Sequence, residues 1–299
     1  MIDNIKINIL FEAPSSVLQR VNSTLRIFGL NFDPVVRKGV VVRYVSKLDN
    51  LHLTIREDQL TIQNSITKYY HGNNYTNLTY TQLQEAICNI ENILGVSIRK
   101  AKIMSFEYGC VIEDNNIPWT LSRLGHYKDK SPLSMHANGL IYGSFYANTT
   151  HKLKMYDKTS EIKRREGIIL DKNHLRVEKC YTRSHLNSLR CLKSNPIITL
   201  DDLASWKAYE ILSQDLINSL SKIELKPMSK DLENLSSMNL RRWCYIQDPY
   251  FRKVMQKNHP KAFESDRREL NKLIQEYRES GHFMMIEEVT HKLAFNLAN

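Results

Sequence analysis

Lys152-Leu153-Lys154-Met155-Tyr156-Asp157-Lys158 decides how this chain is read. Alternate residues of an extended strand point to opposite sides of a sheet. Leu153 and Met155 therefore face one side, and Lys154, Tyr156 and Lys158 the other. Leu175-Arg176-Val177-Glu178-Lys179-Cys180 repeats the pattern, with Leu175 and Val177 toward a core and Arg176 and Glu178 sharing the opposite face. Across 103–113, Phe106, Tyr108, Cys110 and Ile112 make an apolar side and leave Glu107, Gly109 and Glu113 on a polar one. If these strands are neighbours, one face of the sheet is dry and the other holds a phenol, carboxylates and cations.

Working outward, Ile5-Lys6-Ile7-Asn8-Ile9 alternates in the same way. Leu51-His52-Leu53-Thr54-Ile55-Arg56 and Leu60-Thr61-Ile62-Gln63 read as a hairpin around Glu57-Asp58-Gln59. Tyr70-His71-Gly72-Asn73-Asn74 reads as a polar turn. Thr79 opens a helix whose apolar positions Leu83, Ala86, Ile87, Ile90 and Leu94 recur at helical spacing up to a capping Gly95. Residues 114–136 read as loops and short turns, and 159–166 as an exposed charged helix. Beyond Asn195-Pro196 the character is helical. Thr199-Leu200-Asp201-Asp202-Leu203 starts a helix with Trp206, Tyr209, Leu212, Leu216 and Leu220 on its apolar face, closed by Pro227. Two further helices, 267–278 and 282–297, flank Ser280-Gly281. The expected fold is α+β: a largely antiparallel sheet with helices packed on one face, followed by a mainly helical C-terminal region. The expected division is a catalytic domain over 1–195 and a helical region over 196–299 that binds DNA or oligomerises.

The 299 residues are 42% hydrophobic and 25% charged, a globular composition rather than a disordered or fibrous one. No run of about 18 apolar residues occurs, so the expectation is a soluble, cytoplasmic protein without membrane partners. Forty-two Lys+Arg against 32 Asp+Glu give a formal charge of +10, which favours an extended polyanion such as nucleic acid. The basic residues cluster at Lys152, Lys154, Lys158, Lys163, Arg164 and Arg165, at Arg241-Arg242 and at Arg267-Arg268. Five widely spaced cysteines without a C-x-x-C pair indicate neither a zinc module nor a disulfide framework. They read as reduced thiols, mostly in the core.

The polar face suits phosphodiester chemistry. Carboxylates Glu107 and Glu178 suit Mg²⁺ or Mn²⁺, a Lewis acid for a phosphoryl oxygen. Tyr156 suits attack on phosphorus, provided something offsets the cost of losing a proton with pKa near 10. Lys158 would stabilise developing negative charge, with Arg176 on the same face, and Gly109 would let substrate or metal approach the backbone. Each residue also has an ordinary structural role: a strand tyrosine is commonly a packing residue, and Glu178 beside Arg176 or Lys154 makes a cross-strand ion pair.

The order Lys-Met-Tyr-Asp-Lys-Thr-Ser-Glu (154–161) and then Leu-Arg-Val-Glu (175–178) resembles the tyrosine and glutamate motifs of rolling-circle replication initiators of the filamentous-phage gene II type and of the related plasmid Rep_trans proteins. The opening Met-Ile-Asp-Asn-Ile-Lys is similar to that family's first strand, and 101–111 falls where its members carry an acidic strand. The likeness runs over about residues 1–185. It implies nicking of origin DNA, single-stranded or in a hairpin, with a 5′-phosphotyrosyl link and a 3′-OH left for host polymerase. Host helicase and a second copy of the chain join the implied partners. Carried over residue by residue, it implies Tyr156 as nucleophile, Lys158 as its neighbour, and Glu178 and Glu107 as metal carboxylates. The family's Arg-x-Asp is here Ser105-Phe106-Glu107, which leaves Glu113 as an alternative ligand, and no His-hydrophobic-His motif is present. Two other functions compete. One is DNA binding without cutting, through Arg241, Arg242 and their neighbours; the other is a metal nuclease in which water attacks. Tyr146 and Tyr181 are reserve nucleophiles.

Overall fold

The computed structural model describes residues 1–188, 197–226, 236–277 and 287–294. Cys191, Asn195-Pro196 with the expected domain boundary, Pro227 and Ser280-Gly281 lie outside the described residues. The strands are β1 (Ile2–Leu10), β2 (Leu25–Ile27), β3 (Leu30–Arg37), β4 (Val40–Leu48), β5 (Leu51–Arg56), β6 (Gln59–Ser65), β7 (Lys102–Glu113), β8 (Leu124–Tyr127), β9 (Leu133–Ala137), β10 (Leu140–Ala147), β11 (His151–Asp157), β12 (His174–Thr182) and β13 (Ile223–Leu225). The helices are α1 (Ser15–Leu18), α2 (Ile66–His71), α3 (Tyr80–Leu94), α4 (Ile117–Ser122), α5 (Lys158–Glu166), α6 (Arg183–Ser188), α7 (Leu200–Leu203), α8 (Trp206–Leu220), α9 (Ser237–Gln247), α10 (Pro249–Asn258) and α11 (Pro260–Tyr277). Residues 287–294 are also helical.

Eleven strands form one antiparallel sheet in the order β2-β3-β4-β5-β6-β1-β7-β12-β11-β10-β9, and β13 pairs with β8 in a second, two-stranded sheet. The fold is therefore α+β around a large antiparallel sheet. β7, β12 and β11 are adjacent, as the shared alternation requires. α3 and α8 cover one face. Their Leu83, Ala86, Ile87, Ile90, Leu212 and Leu216 are fully buried in the core with Ile5, Ile7, Leu153 and Val177. Tyr209 of α8 meets both Tyr80 of α3 and Tyr108 of β7 edge-on, with ring centroids 5.6 Å apart in each case.

Local chemistry sets the helix ends. Thr79 and Gln82 form a reciprocal capping box and Gly95 closes α3 at φ 66°. Thr199 and Asp202 do the same for α7, but that helix lasts four residues, and Ser205 caps α8 anew. In α8 Tyr209, Leu212, Leu216 and Leu220 are buried, whereas Trp206 is 45% exposed. The polar turn expected at 70–74 overlaps the end of α2, since Ile66–His71 is helical and ends at a left-handed Gly72. The region expected as loops, 114–136, contains α4 and β8 and the start of β9. Helix is not continuous after residue 196 either, because β13 returns to pair with β8.

The C-terminal elements divide by packing. α7, α8 and residues Val289 and Leu293 share the sheet's core. α9 to α11 gather around a separate small cluster of Ile246, Phe263 and Leu270. Arg252 of α10, almost fully buried, bonds to Asp129 at 2.6 Å and lies 3.6 Å from Glu224 of β13, tying that cluster to the main body. Of the described cysteines, Cys110 is buried, Cys180 half-buried, and Cys88 and Cys244 exposed, so the core holds fewer than the sequence suggested. No helix among the described residues is long and apolar enough to cross a membrane.

Candidate active site

Strand register assembles the polar face. Lys154 stands opposite Glu178, Tyr156 opposite Arg176, Glu178 opposite Gly109, and Cys180 opposite Glu107. The side chains converge accordingly. Lys154 Nζ lies 2.7 Å from Glu107 Oε1 and 2.6 Å from Glu178 Oε1. Arg176 Nε donates to Glu178 Oε2 at 2.6 Å, its NH1 to the Asn74 carbonyl at 2.6 Å, and its NH2 to the Asp3 carboxylate. Asn4 Nδ2 donates to Glu107 Oε2 at 2.9 Å, and the Cys180 thiol to Glu107 Oε1 at 3.2 Å. Asp3, Asn4, Asn74 and Cys180 belong to this cluster without having been singled out in the sequence.

Two glycines allow the strands to close up. A Cβ on Gly109 would stand 2.1 Å from the Val177 carbonyl oxygen and 2.8 Å from the Glu178 Cβ, and one on Gly143 would stand 2.3 Å from the Tyr156 Cβ. The space beside Gly109 is thus taken up by β12 and the root of Glu178, rather than left for substrate or metal.

Lys158 departs from the expected strand alternation. β11 stops at Asp157, whose carboxylate accepts from the Ser160 amide at 2.9 Å and caps α5. Lys158 is the first residue of that helix. It nevertheless reaches the site: it is almost fully buried, its Nζ bonds to Glu161 Oε2 at 2.6 Å, and it lies 5.9 Å from the Tyr156 ring centroid. α5 is not an exposed helix throughout, because Lys158, Glu161 and Ile162 are buried beneath it while Lys163, Arg164 and Arg165 face outward.

Tyr156 is 6% exposed. Burial first, and then the Glu178 carboxylate, hold its phenol well above the ordinary pKa of 10, with Arg176 opposing them. Glu178 shows the reverse balance. Burial pushes it up, but the Arg176 and Lys154 cations outweigh that and bring it down to about 2. Lys158 is lowered by burial and by Arg176. The Cys180 thiol is raised by burial and by Glu107.

Glu107, Glu178 and Cys180 offer three ligand atoms within 4.8 Å of one another. Two carboxylates suit Mg²⁺ or Mn²⁺, and the thiol tilts the set toward the softer of these, Mn²⁺. The Lys154 ammonium bridges the same two carboxylates, which shows that the slot attracts positive charge. Glu113 is outside this group, exposed at the end of β7 and paired with Lys172 at 2.9 Å. Tyr146 and Tyr181 are fully buried on the helix-covered face, where Tyr146 donates to the Gly125 carbonyl at 2.8 Å and Tyr181 to Asp215 at 2.7 Å.

The remaining basic residues are more dispersed. Lys152 is exposed on the polar face of β11. Lys163 and Arg164 line a cavity of about 890 Å³ between α5 and the β9–β10 hairpin, with the Arg164 guanidinium 5.3 Å from the Tyr142 ring centroid. Arg165 lies 3.3 Å from Glu161. Arg241 is exposed on α9, while Arg242 pairs with Asp266 at 2.8 Å and so braces α9 against α11. Arg267 lies 3.2 Å from Glu264 of its own helix.

No family model and no curated protein matches the chain. Among solved structures it is similar to a rolling circle replication initiator protein from Geobacillus stearothermophilus, at 12% identity over 83% of this chain and 96% of that one, with a TM-score of 0.39.

Proposed function

We propose that the chain is a replication initiator that nicks one strand of origin DNA, with Tyr156 as nucleophile. What supports this most is one arrangement: on adjacent strands β7, β12 and β11 a single face holds Glu107 and Glu178 bridged by Lys154, Arg176 bonded to Glu178, and Tyr156 opposite Arg176. The motif resemblance at 154–161 and 175–178 falls on those same residues. The phenol oxygen attacks phosphorus, the bond to the 3′ oxygen breaks, and a 5′-phosphotyrosyl ester forms. The phenol proton passes to solvent, Lys158, held by Glu161 and 5.9 Å from the Tyr156 ring centroid, stabilises the phenolate, and the leaving 3′ oxygen gains a proton to become a free 3′-OH. Arg176 and Lys154 stabilise the charge that builds on the phosphoryl oxygens. A divalent cation on Glu107, Glu178 and Cys180 would supply Lewis acidity, and in neutralising Glu178 would relieve one of the two main causes that keep Tyr156 protonated.

In this reading residues 1–195 form the nicking unit, and Lys152, Lys154, Lys163, Arg164 and Arg165, with Arg241 and Arg242 in the helical region, contact DNA. Host helicase and polymerase, a second copy of the chain and a cytoplasmic setting belong to the same reading. One observation favours a second: the near-complete burial of Tyr156 suits a structural tyrosine beside a metal nuclease that activates water.

The deciding experiment incubates the protein with Mn²⁺ and single-stranded oligonucleotides from its own replicon and examines the products on a denaturing gel. A covalent adduct that disappears in Tyr156→Phe is the expected result. Cleavage without an adduct favours the second reading, and an unchanged adduct in Tyr156→Phe overturns the first.

A further inference from the structure

The cavity of about 890 Å³ between α4, α5 and the β9–β10 hairpin combines two kinds of surface. Part of its lining is apolar: Pro118 and Leu121 of α4, and Leu140, Ile141 and Tyr142 of β10. Leu140 and Ile141 are 73% and 62% exposed. Apolar side chains gathered this way in a concave site mark a surface that a ligand covers. The charged part of the lining is cationic, from Lys163 and Arg164 of α5 and Lys226 just after β13, all three exposed. None of them is in an ion pair with a described residue. Asp157 is the one anionic side chain among the described lining residues, and Ser160 occupies both its oxygens, through its amide at 2.9 Å and its hydroxyl at 2.6 Å.

Uncompensated positive charge beside apolar surface is complementary to a single DNA strand, whose phosphates meet the cations while its bases offer their faces to the apolar wall. A duplex keeps those faces in its own stack and would leave the wall wet. A second copy of this chain would cover Leu140 and Ile141, but with a formal charge of +10 it would bring more positive charge to the three cations. Tyr142 joins the cavity to the candidate active site. Its ring meets that of Tyr156 edge-on with centroids 6.2 Å apart, and the Arg164 guanidinium lies 5.3 Å from its centroid. β11 ends at Asp157 in the cavity lining, so a strand held at Tyr156 would enter by passing the end of β11 rather than crossing the sheet.

We propose that this cavity holds the unpaired bases on one side of the phosphate at Tyr156, gripping them by their faces, with Tyr142 as the stacking platform nearest the nucleophile. Lys163, Arg164 and Lys226 take the phosphates of the same stretch. The inference rests on the nicking reading for its substrate, and it adds that single strand is selected over duplex here, by apolar contact with the bases.

Oligothymidylate and an abasic oligomer of the same length carry the same phosphates and differ in their bases. Fluorescence anisotropy of the full chain in EDTA should show oligothymidylate binding about tenfold more tightly, within the range that stacking a base on an aromatic side chain supplies. Tyr142→Ala should remove most of that difference. So should Leu140→Thr combined with Ile141→Thr, which replaces only exposed side chains and keeps good strand formers in β10. Thermal unfolding checks each variant, and if Tyr142→Ala does not fold, the threonine variant carries the test. Lys163→Gln combined with Lys226→Gln should instead weaken both oligomers alike and reduce the slope of log Kd against log salt by about 1.4, at ~0.7 per phosphate contact on a single strand. Equal affinities in the wild type, or a difference that survives in every folded variant, overturns the proposal. So does a wild-type dimer without base-dependent binding that the threonine variant turns into monomer, which would give the cavity to a second copy. The adduct assay separates the two failures. An adduct without base-dependent binding sinks the cavity's role alone, and base-dependent binding lost in the variants, without any adduct, sinks the nicking reading alone.

Discussion

The two faces of the sheet each bury a lysine, a tyrosine and carboxylate, and they use them differently. On the helix-covered face Lys179 bonds to Asp215 at 2.6 Å and to Ser219 at 3.0 Å, while Tyr181 donates to the same carboxylate. There one cation meets one anion, and the phenol proton has a fixed acceptor. On the polar face Lys154 is shared between two carboxylates, Arg176 between Glu178 and Asp3, and a thiol and a cavity adjoin them. Lys154 and Glu107 also remain partly accessible, with side chains 21% and 17% exposed. A closed ion pair specifies packing; a cluster with carboxylates in excess around a reachable cation is one that an incoming metal or phosphate can rearrange. The proposed chemistry therefore belongs to the polar face, although both faces carry the same residue types.

Glu178 and Lys179 are adjacent in sequence and point to opposite faces, so replacing each in turn tests the contrast most strongly. Glu178→Ala leaves Arg176 and Lys154 without a shared anion, and Lys179→Ala leaves Asp215 without its cation. Each should cost about 3–5 kcal/mol, as breaking one side of a buried ion pair does, measured by urea unfolding in EDTA. The faces part company when Mn²⁺ is added. At about a hundredfold excess over its Kd the metal should stabilise the wild type and Lys179→Ala by about 3 kcal/mol, and Glu178→Ala far less. Equal stabilisation of both variants would place the metal elsewhere.

Lys154→Met gives a smaller and more diagnostic effect. Removing a partly exposed ammonium from between two carboxylates should cost about 1–3 kcal/mol in EDTA. A divalent cation relieves the same repulsion, so Mn²⁺ should restore the loss and bind more tightly to the variant than to the wild type in calorimetry. A loss that Mn²⁺ leaves untouched would make Lys154 a structural residue rather than the occupant of a cation slot.

Much of this contrast was readable in the sequence because period two is a local property. It puts Lys154, Tyr156, Arg176, Glu178 and Glu107 on polar faces of their own strands, and the sheet order then makes those faces one. Register is not local. Nothing in the sequence reveals that Gly109 faces Glu178 or that Gly143 faces Tyr156, approaches too close for a Cβ at either glycine. Asp3 was hidden for a related reason: it sits at a register shift between β1 and β7, where alternation fails. Lys158 was misplaced although a signal existed, since Asp157 followed three residues later by Ser160 is a helix cap as well as a strand end. Strands β2 to β4 and β8 to β10 went unassigned. In β2 to β4, β9 and β10 many residues are half-buried or exposed on both faces toward the sheet's edges, which blurs the alternation, while β8 is four residues long and buried throughout, so it shows none.

Acid should separate the faces by the pH at which each weakens. His151 and His185 stack at 4.4 Å on the helix-covered side, near Lys179, and His126 lies in β8 close to Arg252. Burial first, and then those cations, lower His151 to about 3 and His126 and His185 to about 4. A base whose folded pKa lies below its unfolded 6.5 favours folding above pH 6.5, and that contribution falls away as pH drops toward 4. Glu178, with a folded pKa of about 2 against 4.5, keeps its contribution until pH falls below about 5 and loses it toward 2. Urea midpoints should therefore decline between pH 6.5 and 5, before the carboxylate contributes. Replacing His151 with Gln should flatten that first decline and leave the later one in place. A flat profile down to pH 5 in the wild type would contradict the buried neutral histidines.

The smallest expected effect is the control that gives the larger ones meaning. Glu113 lies on the same strand and polar side as Glu107, and sequence alone leaves either as the second metal carboxylate. Its register partner is His174, not Cys180, and it is held at the exposed end of β7 by Lys172, itself exposed. Exposed pairs of this kind contribute little, because solvent screens the charges and two flexible side chains must be held in place. Glu113→Gln should therefore leave the urea midpoint, Mn²⁺ affinity and adduct yield unchanged within error, whereas Glu107→Gln should weaken Mn²⁺ binding measurably. If Glu113→Gln is the variant that loses Mn²⁺, the cation belongs at the strand's end, and the excess of carboxylate charge around Lys154 is a packing arrangement like that around Lys179.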